Sequence, residues 1–256
     1  MLFRSPPALP PRVLLYRSLN DPNAKLTELM LAARTARDLG ARELILVAPY
    51  LCYMRQDMAF SPGEAISQRI IGRFLADLFD TVITVDPHLH RVRELKDAVP
   101  ARHAIAASAA AIIGRFLKSR FRDALVLGPD EESEQWVRVV ADNARWDFAV
   151  ASKRRLGDRS VEITLPKVNL AGRAVVLVDD VISTGHTAAR TAALARAAGA
   201  REVHCVATHA LFEEGTLRLL REGGIETVWC TDSLNSECSI IPLAPVLAEA
   251  AAVFMA

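Results

Sequence analysis

Val175 to Thr187 reads VVLVDDVISTGHT, and this stretch decides the fold. The continuous apolar run from Ala174 to Val178 has the character of a central parallel strand covered on both faces. It delivers two adjacent carboxylates, Asp179 and Asp180. A tight turn of Ser183, Thr184, Gly185, His186 and Thr187 then opens an alanine-rich helical segment. A helix N-terminus offers unpaired N–H groups and a partial positive charge, so a phosphate is bound there without a lysine. Gly185 lets the backbone approach the phosphate, and the hydroxyls of Ser183, Thr184 and Thr187 add donors. The twin acids suit the hydroxyls of a sugar whose terminal phosphate occupies the turn, and they also suit a magnesium ion. The competing reading is a plain helix cap flanked by solvated aspartates. Four hydroxyl or glycine positions plus paired acids directly after an apolar strand weigh against it.

Strand and helix signals alternate on both sides of this segment, which points to parallel strands joined by crossover helices. Toward the N-terminus the pattern predicts a strand over Val13 to Tyr16 and a helix from about Leu26, capped at Gly40. A strand over Glu43 to Ala48, a helix over Ala65 to Phe79 and a strand over Thr81 to Asp86 follow. From Ala124 the run ALVLGP reads as a strand, Glu131 to Arg145 as a helix and Asp147 to Ala151 as a strand. Ser160 to Leu165 alternates like a half-exposed strand. Beyond the turn come a helix from about Thr187 to Ala198, a strand over Glu202 to Ala207, a helix near Glu213 to Arg221 and a strand over Glu226 to Cys230. An apolar tail helix from Pro242 to Ala256 is expected to pack back on the body. The expected division falls near residue 108, giving one α/β unit over 12–108, joined by the tail 242–256, and a second over 109–241.

Thirty-one basic against thirty acidic residues leave a formal charge of +1 in 256 residues. That balance gives no reason to expect binding to nucleic acid or to a membrane surface, and the positive charge needed by an anionic ligand must be concentrated locally. Cys52, Cys205, Cys230 and Cys238 form no Cys-x-x-Cys pair and are too sparse for a disulfide scaffold, so they are expected to be reduced thiols of a cytoplasmic protein. The start, MLFRSPPALPPR, lacks the apolar stretch of a signal peptide. The apolar run around Ala104 to Ile113 is far short of a membrane span.

The turn at Val178 to Thr187 resembles the phosphoribosyl-diphosphate-binding motif shared by type I phosphoribosyltransferases and ribose-phosphate diphosphokinases. Further segments resemble the diphosphokinases. Tyr53, Arg55, Gln56 and Asp57 (YMRQD) look like that family's ATP segment, where a guanidinium can fork onto phosphate oxygens and an amide can read a purine edge. Asp86, Pro87 and His88 resemble its Asp-x-His magnesium and ATP site, with His90 a secondary candidate. Gly128, Pro129 and Asp130 resemble its Pro-Asp segment, where the aspartate serves magnesium and diphosphate, although the following EESEQW departs from the small, glycine-containing continuation usual there. Lys153, Arg154 and Arg155, followed by a polar stretch through Gly157 and Asp158, resemble its flexible basic loop.

The resemblance covers roughly residues 13 to 250. It implies two phosphoribosyltransferase-like units with mainly parallel sheets flanked by helices, the first serving ATP and the second ribose 5-phosphate. It implies Arg55, Gln56 and His88 on ATP, and His88 and Asp130 on magnesium (Mg2+). Asp179, Asp180, Ser183, Thr184, Gly185, His186 and Thr187 would hold ribose 5-phosphate, with Lys153 and Arg155 catalytic, in a homo-oligomer. Nothing before Val13 matches the Phe-x-Asp-x-Glu segment that touches adenine in the family. A phosphoribosyltransferase, which shares the turn at Val178 to Thr187, and a non-catalytic homologue that senses phosphoribosyl diphosphate, to which the unmatched front segment points, are carried as the alternatives.

Overall fold

Runs of β-branched and aliphatic residues such as ELILVA and TVITV pack on both faces only when helices cover them, and the chain uses this device twice. The computed structural model describes residues 4–59, 61–89, 91–155 and 161–255, and of Arg155 and Val161 the backbone alone. The chain divides into two compact units, Met1–Ser108 with Leu243–Ala256, and Ala109–Pro242.

In the first unit, β1 (Arg12–Tyr16), β2 (Glu43–Ala48), β3 (Thr81–Val85) and β4 (His103–Ala107) form a parallel sheet in the order β1-β2-β3-β4. The connecting helices are α1 (Pro22–Asp38), α2 (Ser67–Leu78) and the single turn α3 (Leu95–Ala98). Proline at the first turn of α1 sacrifices no helical hydrogen bond, so the helix begins at Pro22, ahead of the expected Leu26. Leu44, Leu46, Leu75, Phe79 and Val82 sit at the centre of this unit's core. The tail helix, α8 (Ala244–Met255), belongs to the same unit, and its Phe254 ring lies 5.2 Å from the His103 ring on β4.

The second unit holds α4 (Ala110–Lys118), β5 (Leu125–Gly128), a 3-10 turn (Glu131–Ser133), α5 (Glu134–Ala144) and β6 (Phe148–Val150). A ribbon follows, β7 (Ser152–Arg155) antiparallel to β8 (Val161–Thr164). Then come β9 (Ala174–Ile182), α6 (His186–Ala197), β10 (Glu202–Ala210), α7 (Thr216–Glu222), β11 (Thr227–Thr231) and β12 (Ser239–Ile241). Six strands pair in parallel in the order β12-β11-β10-β9-β5-β6. Leu125, Val175, Leu177, Val203, Cys205 and Leu220 lie in the core of this unit.

Two departures from expectation bear on the site. β9 does not stop at Val178. It pairs with β10 as far as Val181 with His209 and Ile182 with Ala210, so the twin acids lie inside the strand and inherit its rigidity. Lys153 to Arg155 are not simply loop: they form β7, with Lys153 opposite Ile163. His90, Gly157 and Asp158 lie outside the described residues. Neither β4 nor α4 was read from the sequence, because HAIAA and AAIIGRFLK run together as one alanine-rich stretch in which neither period stands out.

Candidate active site

In the second sheet the chain leaves β5 toward β6 on one side, whereas from β9 it proceeds to β10, β11 and β12 on the other. Such a reversal of strand order opens a crevice at the carboxyl ends of the two central strands, where open α/β sheets bind ligands. The candidate residues of this unit gather there: Asp130 after β5, Lys153 just beyond β6, and Asp179 to Thr187 at the end of β9.

The turn after β9 is built from several sources. Gly185, at φ 78° and ψ −3°, caps α6 in the left-handed region that favours glycine. The first α6-side amide with a backbone partner is that of Ala189, which donates to the Gly185 carbonyl at 2.9 Å. The amides of Gly185, His186, Thr187 and Ala188 make no backbone hydrogen bond, so they are available to an anion. Ser183 and Thr187 are half-buried, while Thr184 and His186 are exposed. Two residues that sequence reading missed brace the loop. Thr216 Oγ1 donates to the Ser183 carbonyl at 2.8 Å, and Ser183 Oγ donates to Glu213 Oε1 at 3.0 Å. They lie about thirty positions downstream of the turn and carry no local signal of the role.

The twin acids differ in environment. Asp180 is buried, and its Oδ1 accepts the Val181 amide at 2.7 Å. Asp179 Oδ1 accepts the Asp180 amide at 3.0 Å. Asp179 keeps some solvent access, yet desolvation pushes its carboxyl well above the usual carboxylate range, and the neighbouring Asp180 and Asp130 carboxylates push the same way. Three carboxylates thus crowd one strand end. Asp130 Oδ2 lies 3.3 Å from Lys153 Nζ, which places one ammonium at the edge of that cluster. Ser133 Oγ, fully buried, donates to the Asp130 carbonyl at 2.6 Å and fixes the loop that carries the acid.

In the first unit the loops after β2 and β3 carry the remaining candidates. Tyr53 at φ 60° and Asp86 at φ 37° adopt left-handed backbone that side chains other than glycine rarely take, and such strain concentrates at functional loops. Arg55 is exposed and Gln56 half-buried. Gln68, on α2 and buried, donates its side-chain amide to the Met54 carbonyl at 3.1 Å, and its backbone amide reaches the Gln56 carbonyl at 3.2 Å. Buried Asp57 pairs with Arg91 Nη1 at 2.8 Å, tying the YMRQD loop to the segment after His88. Neither Gln68 nor Arg91 stands out in the sequence, since each acts through a partner distant along the chain. His88 is half-buried on the loop after β3. The structure thus brings Asp130, Lys153, Asp179 and Asp180 together within the second unit, while Arg55, Gln56 and His88 belong to the first.

The phosphoribosyl transferase domain model matches residues 97–227, and a model for the N-terminal domain of ribose phosphate pyrophosphokinase matches residues 12–82. A ribose-phosphate pyrophosphokinase of Methanopyrus kandleri is 35% identical over 252 residues, which is 97% of this chain and 85% of that protein. The chain belongs to the ribose-phosphate pyrophosphokinase family. A second family member, from Saccharolobus solfataricus, is 36% identical over 87% of this chain and 77% of its own. The crystal structure of phosphoribosylpyrophosphate synthetase from Mycobacterium smegmatis shares the fold, with a TM-score of 0.78 at 24% identity, over 95% of this chain and 82% of that one. The family's N-terminal domain is present from Arg12 onward. Among the described residues no helix is long and apolar enough to cross a membrane.

Proposed function

We propose that this chain transfers the diphosphoryl group of ATP to the C1 hydroxyl of ribose 5-phosphate, giving phosphoribosyl diphosphate and AMP. The observation that carries the reading is the switch-point crevice of the second unit, where unpaired amides and hydroxyls adjoin three crowded carboxylates and one ammonium. The C1 oxygen attacks the β-phosphorus and its proton is lost to solvent, the bond from that phosphorus to the oxygen bridging the α- and β-phosphates breaks, and AMP leaves with that oxygen. No side chain need become a covalent nucleophile; positioning and charge neutralisation carry the rate.

The amides of residues 185–188, with Ser183, Thr184, His186 and Thr187, hold the 5-phosphate. Asp179 and Asp180 accept hydrogen bonds from the ribose hydroxyls and so orient C1. Arg55, Gln56 and His88, on the first unit, hold ATP, their loop steadied by Gln68 and the Asp57–Arg91 pair. Lys153 and Arg155 neutralise charge that develops on the phosphoryl oxygens. Lys153 Nζ lies 3.3 Å from Asp130 Oδ2, so the cation is held at a defined place beside the carboxylates.

Magnesium fits the donor set of the second unit. Asp130 and Asp179 present hard oxygen ligands; desolvation, and after it the Asp180 and Asp130 charges, raise the Asp179 carboxyl, and a divalent cation would offset both. When bound, the ion would supply neutralisation of diphosphate oxygens; His88, on the first unit, is proposed separately as a group that meets magnesium. The four cysteines are free thiols, in keeping with a cytoplasmic protein. A homo-oligomer, implied by the family resemblance, completes the proposal and is read by light scattering.

Lys153→Ala is expected to lower turnover by orders of magnitude and leave ribose 5-phosphate affinity nearly intact. Loss of sugar binding in that variant means its role is misassigned. Product analysis separates the alternatives. AMP from ATP and ribose 5-phosphate supports the proposal; diphosphate release with a purine or pyrimidine base supports a phosphoribosyltransferase. Ligand binding without either product, at every magnesium concentration, supports a sensing homologue.

A further inference from the structure

At the opposite end of the second sheet from the crevice, the amino ends of β10 and β11 assemble a different cluster. Glu202 and His204 are two apart on β10 and therefore share a face, and Glu226 immediately precedes β11, its amide donating to the Val203 carbonyl at 2.8 Å. One donor atom from each of the three residues lies within 4.8 Å of the others.

His204 decides how the cluster is read. Its side chain is only 7% exposed, and neither ring nitrogen makes a hydrogen bond. A buried imidazole whose two nitrogens make no hydrogen bond, and which meets only the Glu202 carboxylate at ion-pair distance, keeps bonding capacity that a metal ion would use. Nε2 faces Glu202 Oε2 at 3.5 Å, outside hydrogen-bond geometry. Trp229 stacks on the ring at 5.2 Å and 25°, and Phe121 approaches it at 5.0 Å. The imidazole is therefore held in plane with its nitrogen edge turned toward the carboxylates. Arg201 takes Glu202 Oε1 at 2.6 Å and leaves Oε2 facing His204, while Arg196 takes Glu226 Oε1 and so orients the second acid.

From this geometry we infer that Glu202, His204 and Glu226 form a binding site for a first-row divalent transition metal, with zinc the representative ion. One imidazole nitrogen and two carboxylate oxygens are a zinc-type donor set, and the imidazole favours such ions over magnesium. Metal–ligand bonds of about 2.0–2.2 Å place tetrahedral donors about 3.4 Å apart, a spacing that His204 Nε2 and Glu202 Oε2 already have at 3.5 Å, so that only Glu226, within 4.8 Å of both, has to move closer. Exposed Glu226 can supply that movement by a rotamer change. The arginines take the place usually held by outer-sphere partners of ligating carboxylates. A metal here pins the starts of two neighbouring strands far from the crevice, so its effect is on the stability of the second unit and not on the reaction.

The test uses the full chain, stripped with chelator and kept in excess magnesium so that the crevice is not available to zinc. Titration with zinc chloride is expected to show one site per chain with a micromolar or tighter Kd, and a melting midpoint that rises by several degrees at 100-fold excess over Kd. Glu226→Gln, a surface change, lowers affinity at least ten-fold and leaves AMP formation within two-fold of wild type. His204→Gln abolishes binding, with circular dichroism checking its fold. Cobalt substitution gives visible absorption that Glu226→Gln loses. Binding that does not saturate below about 1 mM, or that is unchanged in Glu226→Gln, overturns the inference; unchanged binding that disappears in Cys238→Ser assigns the ion to a thiol instead.

Discussion

Gly128→Ala tests how the loop bearing Asp130 is held. A Cβ built on Gly128 lies 2.3 Å from Ser133 Oγ, 3.2 Å from Val137 Cγ2 and 3.4 Å from Val150 Cγ1. The first contact is impossible and the other two are tolerable, so the variant must expel the Ser133 hydroxyl from its place against the Asp130 carbonyl. Breaking that bond in a fully buried hydroxyl costs about 1–3 kcal/mol, and overpacking adds about 1–3 kcal/mol. A total of about 2–6 kcal/mol is expected from urea denaturation. AMP formation should fall with it, because Asp130 moves off Lys153. Ser133→Ala alone loses one hydrogen bond, about 1 kcal/mol. In the double variant the offending oxygen is gone and the nearest remaining contact is 3.2 Å or more, so Gly128→Ala/Ser133→Ala should be more stable than Gly128→Ala alone. A double variant no better than the single, or a Gly128→Ala protein within 0.5 kcal/mol (roughly the scatter of surface substitutions) of wild type, refutes the account of the loop.

Asp179→Asn should raise stability while abolishing AMP formation. The native Asp179 carboxyl is raised above its unfolded value, so the folded state binds the extra proton and wild-type stability falls as pH rises through that interval. The variant lacks this slope, and its advantage in urea denaturation should be larger at pH 8 than at pH 4; an advantage that shrinks with rising pH contradicts the raising of the Asp179 carboxyl by desolvation and its acidic neighbours. Gly185→Ala forces a side chain into left-handed backbone at about 1–2 kcal/mol. Its Cβ, 3.0 Å from Thr216 Cγ2, presses on the residue that donates to Ser183. Ribose 5-phosphate affinity measured by calorimetry should drop several-fold or more, and an unchanged affinity would show that the turn does not carry the phosphate.

Much of this molecule was legible along the chain because its chemistry is local. An apolar run, two acids and a hydroxyl turn occupy thirteen consecutive residues, and a phosphate-binding helix start needs nothing from elsewhere. The strands Glu43–Ala48 and Thr81–Val85 declared themselves because buried parallel strands are continuous apolar runs. Pairing escaped that reading. β9 reaches Ile182 because β10 lies beside it, and Lys153 sits on a strand because Val161 to Thr164 returns along it. The braces of the loops escaped it too: Thr216 on the Ser183 carbonyl, Gln68 on Met54, Arg91 on Asp57. Strand order was equally invisible, since nothing in the residues between β5 and β9 says that the two strands will be neighbours, yet their adjacency makes the crevice. His204 shows the difference most plainly, because an imidazole's role depends on what surrounds it and its neighbours come from its own strand, the start of β11 and Phe121. Short-range hydrogen-bonding chemistry is written in adjacent residues; desolvation, charge crowding and partner choice are set by which distant residues folding places side by side.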